Sequence, residues 1–295
     1  MDYKYYRLTK IDDPKDLSLL SLELYKITGF YANDYIKPVI KEGGQLYTIL
    51  SDESEFKKHF CVSLLIIPFM ELKSIPSLEN ELVKLVHEYN IEFIHFTDFF
   101  GQNKVLGDKR NEFIDKYVGI VSKIPNMACL SLSKNKDKIL LDLGRTDITN
   151  EELYFQLFWN NFERIIPAFS NEDIFHIWIE QEYDLDNTKK HKDNAEKLIK
   201  NLYSGIHTME LKFPDRYISI CKYPLFFSKK ALLYSSLSDL VAYTSNKIQN
   251  KIDTGVPKKK IQNEYNILLS IIRRVFKNYT GLESKELIEL INEST

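Results

Sequence analysis

Cysteine is scarce in this chain. The 295 residues include three, Cys61, Cys129 and Cys221, odd in number and widely separated. That excludes a disulfide scaffold, and no zinc-type spacing is present. Cys61 and Cys129 lie in apolar, strand-like runs, where a buried, reduced thiol is expected. Glycine is thin and dispersed. Its ten copies leave Gly43-Gly44 alone before an apolar run, with no P-loop or dinucleotide fingerprint and no nucleophile elbow for Ser-His-Asp chemistry. No apolar run approaches membrane-spanning length, and the N-terminal MDYKYYRLTK has no apolar signal core. A cytoplasmic protein without a membrane partner is the expectation. Neither sign of charge dominates: Lys+Arg number 40 against Asp+Glu 42, a net charge of -2. There is thus no global basic footprint for nucleic acid, although a local groove is left open. Internal repeats and low-complexity tracts are also lacking.

What is present suffices for a packed core. Hydrophobic residues make up 44% of the chain, with 18 Phe and 18 Tyr, enough for one large domain or two small ones. The organising stretch is Gly43 to Pro68. Two apolar runs, Leu46–Leu50 and Phe60–Ile67, flank the charged Ser51-Asp52-Glu53-Ser54, which predicts a hairpin whose second strand is deeply buried. Before it, Asp13-Pro14 opens a helix carrying Leu17, Leu20, Leu24 and Ile27. After it, Ser77 caps a helix with Leu78, Leu82, Leu85 and Val86 on one face. Ile91–Phe96 reads as a short strand and Thr97–Asp108 as a loop. Asn111–Ser122 reads as a helix; Met127–Leu132 and Lys138–Leu143 read as strands. Thr149 with Glu152 is a capping box ahead of a helix that Pro167 ends. Asp173–Glu180 and Tyr217–Cys221 follow as strands, with a helix over Asp193–Leu202 between them. Ser236–Ile248 is the next helix. A Lys-, Gly- and Pro-rich loop, Asn250–Lys260, leads to an amphipathic helix over Ile261–Phe276 and a short one after Gly281. Strands mixed with helices in this order predict a mixed sheet with helices on its faces.

Acidic residues recur at the ends of these elements. Asp52, with Glu53 beside it, follows the first apolar run. Glu180 closes IFHIWIE, and Asp239 sits in SLSDLVAY among apolar neighbours. Taken singly, each is a polar turn, a strand end or a helix start. Taken together they match one chemical need: several carboxylates converging on a divalent metal that activates water for phosphodiester cleavage. His95 is either a metal ligand or general base, or a hydrogen-bonded core histidine. His176 alternates with apolar neighbours and reads as structural. If nucleic acid binds, Lys189-Lys190-His191-Lys192 and Lys258-Lys259-Lys260 are the natural phosphate contacts, and otherwise solvated faces.

The succession SDESEFKKHFCVSLLIIP, EFIHFTDF, HIWIEQ and SLSDLVAY resembles the family labelled domain of unknown function 3800, over roughly residues 46 to 250. The resemblance implies a ribonuclease-H-like fold. Asp52 matches the acid of its first strand and Glu53 the neighbour. His95 matches the histidine of its second element, and Asp239 the acid of its last helix. Glu180 stands where the family has Asp, Glu55 replaces a Gly, and Phe93 occupies the place of a Glu, with Glu92 one residue out and Asp98 a substitute from the loop.

The resulting expectation is an α/β chain: a helical extension over 1–42, a ribonuclease-H-like mixed sheet flanked by helices over 43–250, and a helical tail over 251–295. Its function would be a nuclease using magnesium or manganese held by Asp52, Glu180, Asp239 and Asp98, with Glu53 and His95 assisting and DNA or RNA as substrate. The resemblance further implies a bacterial antiviral setting. The alternative is a degenerate scaffold that keeps the sheet without the chemistry. In either case the terminal helices would serve self-association or a partner protein.

Overall fold

The hairpin forms, and it extends well beyond its apolar pattern. β1 spans Leu46–Phe56 and β2 spans His59–Pro68, paired antiparallel from Tyr47–Pro68 to Phe56–His59. The charged break therefore lies within β1, because its polar residues keep the alternation of the strand. A two-residue turn joins the strands, with Lys57 at φ 55°. The computed structural model describes residues 45–180, apart from positions 73, 102, 103, 125, 126 and 172, then most of 200–276 and four positions between 289 and 293. The extension expected over 1–42 and most of the helix expected over 193–202 lie outside the described residues.

β3 (Ala128–Asn135) pairs antiparallel with β2, and β4 (Ile174–Glu180) pairs parallel with β1. Two short strands, β5 (Ser219–Ile220) and β6 (Leu225–Phe227), line the far side of β4, both parallel to it. The sheet thus reads β3–β2–β1–β4, followed by β5 and β6. The chain is α/β with a mixed sheet flanked by helices.

Seven helices matter here: α1 (Ile75–Glu88), α2 (Phe96–Phe100), α3 (Arg110–Val121), α4 (Lys136–Leu143), α5 (Asn150–Ile165), α6 (Ser236–Asp253) and α7 (Lys258–Val275). α5 covers one face of the sheet. Its Leu157, Phe158 and Phe162 are fully buried with Ile49, Val62, Leu64, Leu132 and Ile177, each such side chain contributing about 1.5–3 kcal/mol. The Thr149–Glu152 capping box forms as the sequence predicts. α6 covers the other face, with α1, α3 and α7 outside it. Because both faces are covered, β2 is buried at every position from His59 to Ile67. The boundary expected at 250 falls inside α6, and α7 contributes Leu268, Leu269 and Ile272 to the same core.

Local expectations fail at four places. Lys138–Leu143 is helical: the Asn135 side chain accepts the Asp137 N–H at 2.9 Å, and Gly144 at φ 63° closes the far end. These caps outweigh the strand-like run they enclose. Ile91–Phe96 is not a strand but an irregular approach to α2, which occupies the start of the expected loop. Ser77 lies inside α1, which starts at Ile75, so it caps nothing. The expected Asn250–Lys260 loop shrinks, because α6 runs on to Asp253 and α7 starts at Lys258.

Candidate active site

The two faces of the sheet differ in chemistry. Under α5 it presents Ile49, Phe60, Val62, Leu64, Leu130 and Leu132. Under α6 it presents Leu50, Leu65 and Ile67, interspersed with the small or polar Thr48, Asp52, Ser63, Ser131 and Ser133, all buried. α6 meets them with polar residues of its own. Ser63 Oγ donates to the Ser238 carbonyl at 2.7 Å. Ser131 and Ser245 share a hydroxyl hydrogen bond at 2.8 Å. Asn246, fully buried, accepts from Ser133 Oγ at 2.8 Å and donates to the Ser54 carbonyl at 2.7 Å. At the lower end, His59 Nδ1 accepts from Asn250 Nδ2 at 2.9 Å, so Nε2 carries the proton toward Asp253 Oδ2 at 3.0 Å. Small side chains let the helix come close, and hydrogen bonds remove the cost of burying polar groups.

Two carboxylates lie in this polar layer. Asp52, opposite Ser63 on β1, is 3% exposed, and its Oδ1 accepts the Glu53 N–H at 2.8 Å. Asp239, in the first turn of α6, is 2% exposed. Ser63 connects their backbones: its hydroxyl stands 3.5 Å from the Asp52 carbonyl and bonds the residue before Asp239.

Asp239 also organises what lies outside it. Its Oδ2 accepts the Phe96 N–H at 2.8 Å, supplying the cap that α2 lacks locally. That contact fixes the start of α2 at the end of the Ile91–Phe96 run. The other oxygen lies 3.8 Å from His95 Nε2, and His95 Nδ1 is 3.2 Å from Asp98 Oδ2. Asp98, His95 and Asp239 form a row from the surface inward. Tyr243, one turn along α6, has its hydroxyl pushed up to about 12 by burial and then by Asp239.

The structure therefore gathers Asp239, His95 and Asp98 in one row, and sets Asp52 in the same buried polar layer, connected to the residue before Asp239 through Ser63. Glu53 does not join them: it is exposed, and strand alternation turns it to the opposite face. Glu180 ends β4 one residue beyond the last β1–β4 pair, Ser51–Ile179, so position 180 is level with position 52 on the adjacent strand; its side chain lies outside the described residues. His176 is structural, with Nδ1 accepting from Trp178 Nε1 at 3.0 Å. Among the lysine runs, Lys258 is paired with Glu289 at 2.7 Å, and 189–192 lies outside the described residues.

Magnesium and manganese take hard oxygen donors, and Asp52 and Asp239 are of that kind. Among the described residues, however, no group of three or more His, Cys, Asp or Glu stands close enough to hold a metal. Position 180, level with Asp52 on the adjacent strand, is one place a third ligand could come from. No described helix is long and apolar enough to cross a membrane.

Two residues that sequence reasoning missed support the site from a distance. Glu79 of α1 accepts the N–H groups of Leu233 and Tyr234 at 3.0 and 2.6 Å, in the turn of 3-10 helix that leads into α6. Burial pushes its carboxyl up to about 7, against the pull of those two hydrogen bonds. Lys247 lies on α6 two turns beyond Asp239. An acid beside the apolar stripe of α1 was the only sequence signal for the first, and none marked the second. Comparison of the chain with protein-family profiles, curated proteins and solved structures returns no match.

Proposed function

We propose that the chain is a metal-dependent nuclease on a ribonuclease-H-like sheet. In this reading Asp52, Asp239 and Glu180 hold magnesium or manganese. The observation that carries it is the burial of Asp52 and Asp239, at 3% and 2% exposure, in one polar layer, with their backbones connected through Ser63. The antiparallel run β1–β2–β3, continued beyond β1 by parallel strands, supports the fold assignment. A cation bound there would lower the pKa of a water and neutralise phosphate charge. The chain's own residues do the positioning. Asp52 is fixed by a central strand and Asp239 by the start of a helix. His95, oriented by Asp98, presents Nε2 toward Asp239 at the solvent edge, where it can take a proton from the attacking water or return one to the leaving oxygen.

The second reading is a scaffold that has lost the chemistry. It is favoured by the absence of a three-ligand group among the described residues and by the use of Asp239 as a helix cap. Incubation with single- and double-stranded DNA and RNA plus manganese, beside Asp52→Asn and Asp239→Asn, decides between them. Cleavage lost in the Asp52→Asn protein, with its melting unchanged, is the expected result. Cleavage that survives both substitutions refutes the site. No cleavage together with no calorimetric manganese binding leaves the scaffold.

A further inference from the structure

The tip of the β1–β2 hairpin and the facing turn of α6 bring an exposed ammonium, that of Lys57, and a half-buried one, that of Lys247, to one ring. Lys247 Nζ lies 3.2 Å from the centroid of the Phe56 ring and 5.4 Å from that of Tyr243. Lys57 Nζ lies 5.4 Å from the same Phe56 ring. Neither has a carboxylate, carbonyl or hydroxyl partner among the described residues. Nearby lysines do: Lys58 pairs with Asp137 at 2.6 Å, Lys136 with Glu55 at 2.6 Å, and Lys251 with Glu264 at 3.0 Å. An ordinary solubilising lysine stands in water. Lys247 instead is half-buried over a ring, and burial, then Lys57 and Lys251, push its ammonium down to about 8, with Glu264 alone opposing. Lys57 also occupies a left-handed backbone position, at φ 55°, where Gly or Asn is the usual residue. Glu264 is itself paired with Lys251, so two like charges face each other with no carboxylate in contact, and a shared anion turns that repulsion into attraction.

We propose that Lys247 and Lys57 form a phosphodiester-binding site that anchors a nucleic-acid strand beside the carboxylates. The inference rests on the nuclease reading for its substrate class, and the layout favours that class. Phe56 lies four residues past Asp52 on the same face of β1, ~13 Å at the rise of a strand. Lys247 lies eight residues past Asp239 on α6, ~12 Å at the rise of a helix. The two elements run the same way, since Ser238 lies near Asp52, Asn246 bonds Ser54, and Lys247 covers Phe56. At ~3.4 Å per stacked nucleotide the separation spans about three to four nucleotides. Tyr243 lies between acid and lysine, one helical turn from each. Tyr243 is 4% exposed and packed in the core, so the strand would be held at the tip by charge and the Phe56 ring alone.

The test is fluorescence anisotropy with labelled single-stranded DNA and RNA in EDTA, so that binding is read without cleavage. Lys247→Gln and Lys57→Gly are compared with wild type and with Lys116→Gln, whose lysine is paired with Glu88. Lys57→Gly relieves its backbone position, so lost binding there reports charge and not unfolding. Each tip variant should bind about tenfold more weakly, with a salt slope smaller by about 0.7, and Lys116→Gln should match wild type. Tip variants that bind within about twofold of wild type, at unchanged slope, overturn the anchor. A polyglutamate peptide bound as tightly, with the same lysine dependence, overturns the phosphodiester class. Lysine-dependent binding in a wild-type protein that never cleaves with manganese keeps the anchor and removes the nuclease. Asp52-dependent cleavage with full binding by the tip variants does the reverse.

Discussion

Replacing Glu79 by glutamine should flatten a large part of the protein's dependence of stability on pH. The Glu79 carboxyl is held against Leu233 and Tyr234 N–H, and burial is the largest cause of its rise from 4.5 to about 7. An unfolded chain releases this proton near pH 4.5, whereas the folded chain keeps it until about pH 7. Between these values the unfolded state binds fewer protons, so stability must fall as pH rises. At 1.36 kcal/mol per pH unit, the full effect is about 3 kcal/mol, complete above pH 7–8. Glutamine accepts one of the two N–H groups with its carbonyl and does not titrate. Urea unfolding from pH 4.5 to 8.5 gives the comparison. The stability of wild type minus that of Glu79→Gln should fall by about 3 kcal/mol from the acid end to the alkaline end. A difference flat within about 0.5 kcal/mol would mean that Glu79 is solvated and that its grip on the start of α6 is not buried. The start of α6 would then be tied by Tyr117 Oη to Ser236 Oγ at 2.8 Å, Ser63 Oγ to the Ser238 carbonyl at 2.7 Å and Phe96 N–H to Asp239 at 2.8 Å.

Asn246→Leu should cost about 2–4 kcal/mol in urea unfolding, because it strips the Ser54 carbonyl and the Ser133 hydroxyl of their buried partner. A loss below about 1 kcal/mol would show that water replaces the amide. Gly205→Ala should destabilise by about 1–3 kcal/mol, since an added Cβ would stand 1.9 Å from the Trp159 ring. Trp159 emission, read in a Trp178→Phe background, should move to the red, and an unchanged spectrum and melting temperature would contradict that close approach.

Sequence pattern carried the elements whose periodicity is their own. β1 and β2, β4, the boxed start of α5, and the apolar stripes of α6 and α7 were legible because alternation and helical spacing are local. The pattern failed at Lys138–Leu143, where side-chain and glycine caps at the ends set the conformation, and at Ile91–Phe96, whose last residue starts a helix capped by the distant Asp239 carboxylate. The candidate site divides along the same line. An acid inside an apolar helix is costly to bury, which is why Asp239 stood out before any fold was known, whereas Asp52 stood out as an acid where an apolar run ends. Glu53, adjacent to Asp52 and equally acidic, was separable from it only once the register of β1 with β2 fixed which face each side chain takes.

The sequence alone pointed to a mixed sheet with helices on its faces, and to Asp239 as an acid that, if buried in its apolar helix, needs partners. Tertiary structure decided who those partners are: Phe96 N–H and His95 for Asp239, and Ser63 between the two acidic positions. It also decided that Lys57 and Lys247 meet over one ring. The reason is physical. Periodicity is a property of a short window, whereas a hydrogen bond or a like-charge contact depends on which distant segments the packing of the core brings within a few ångströms.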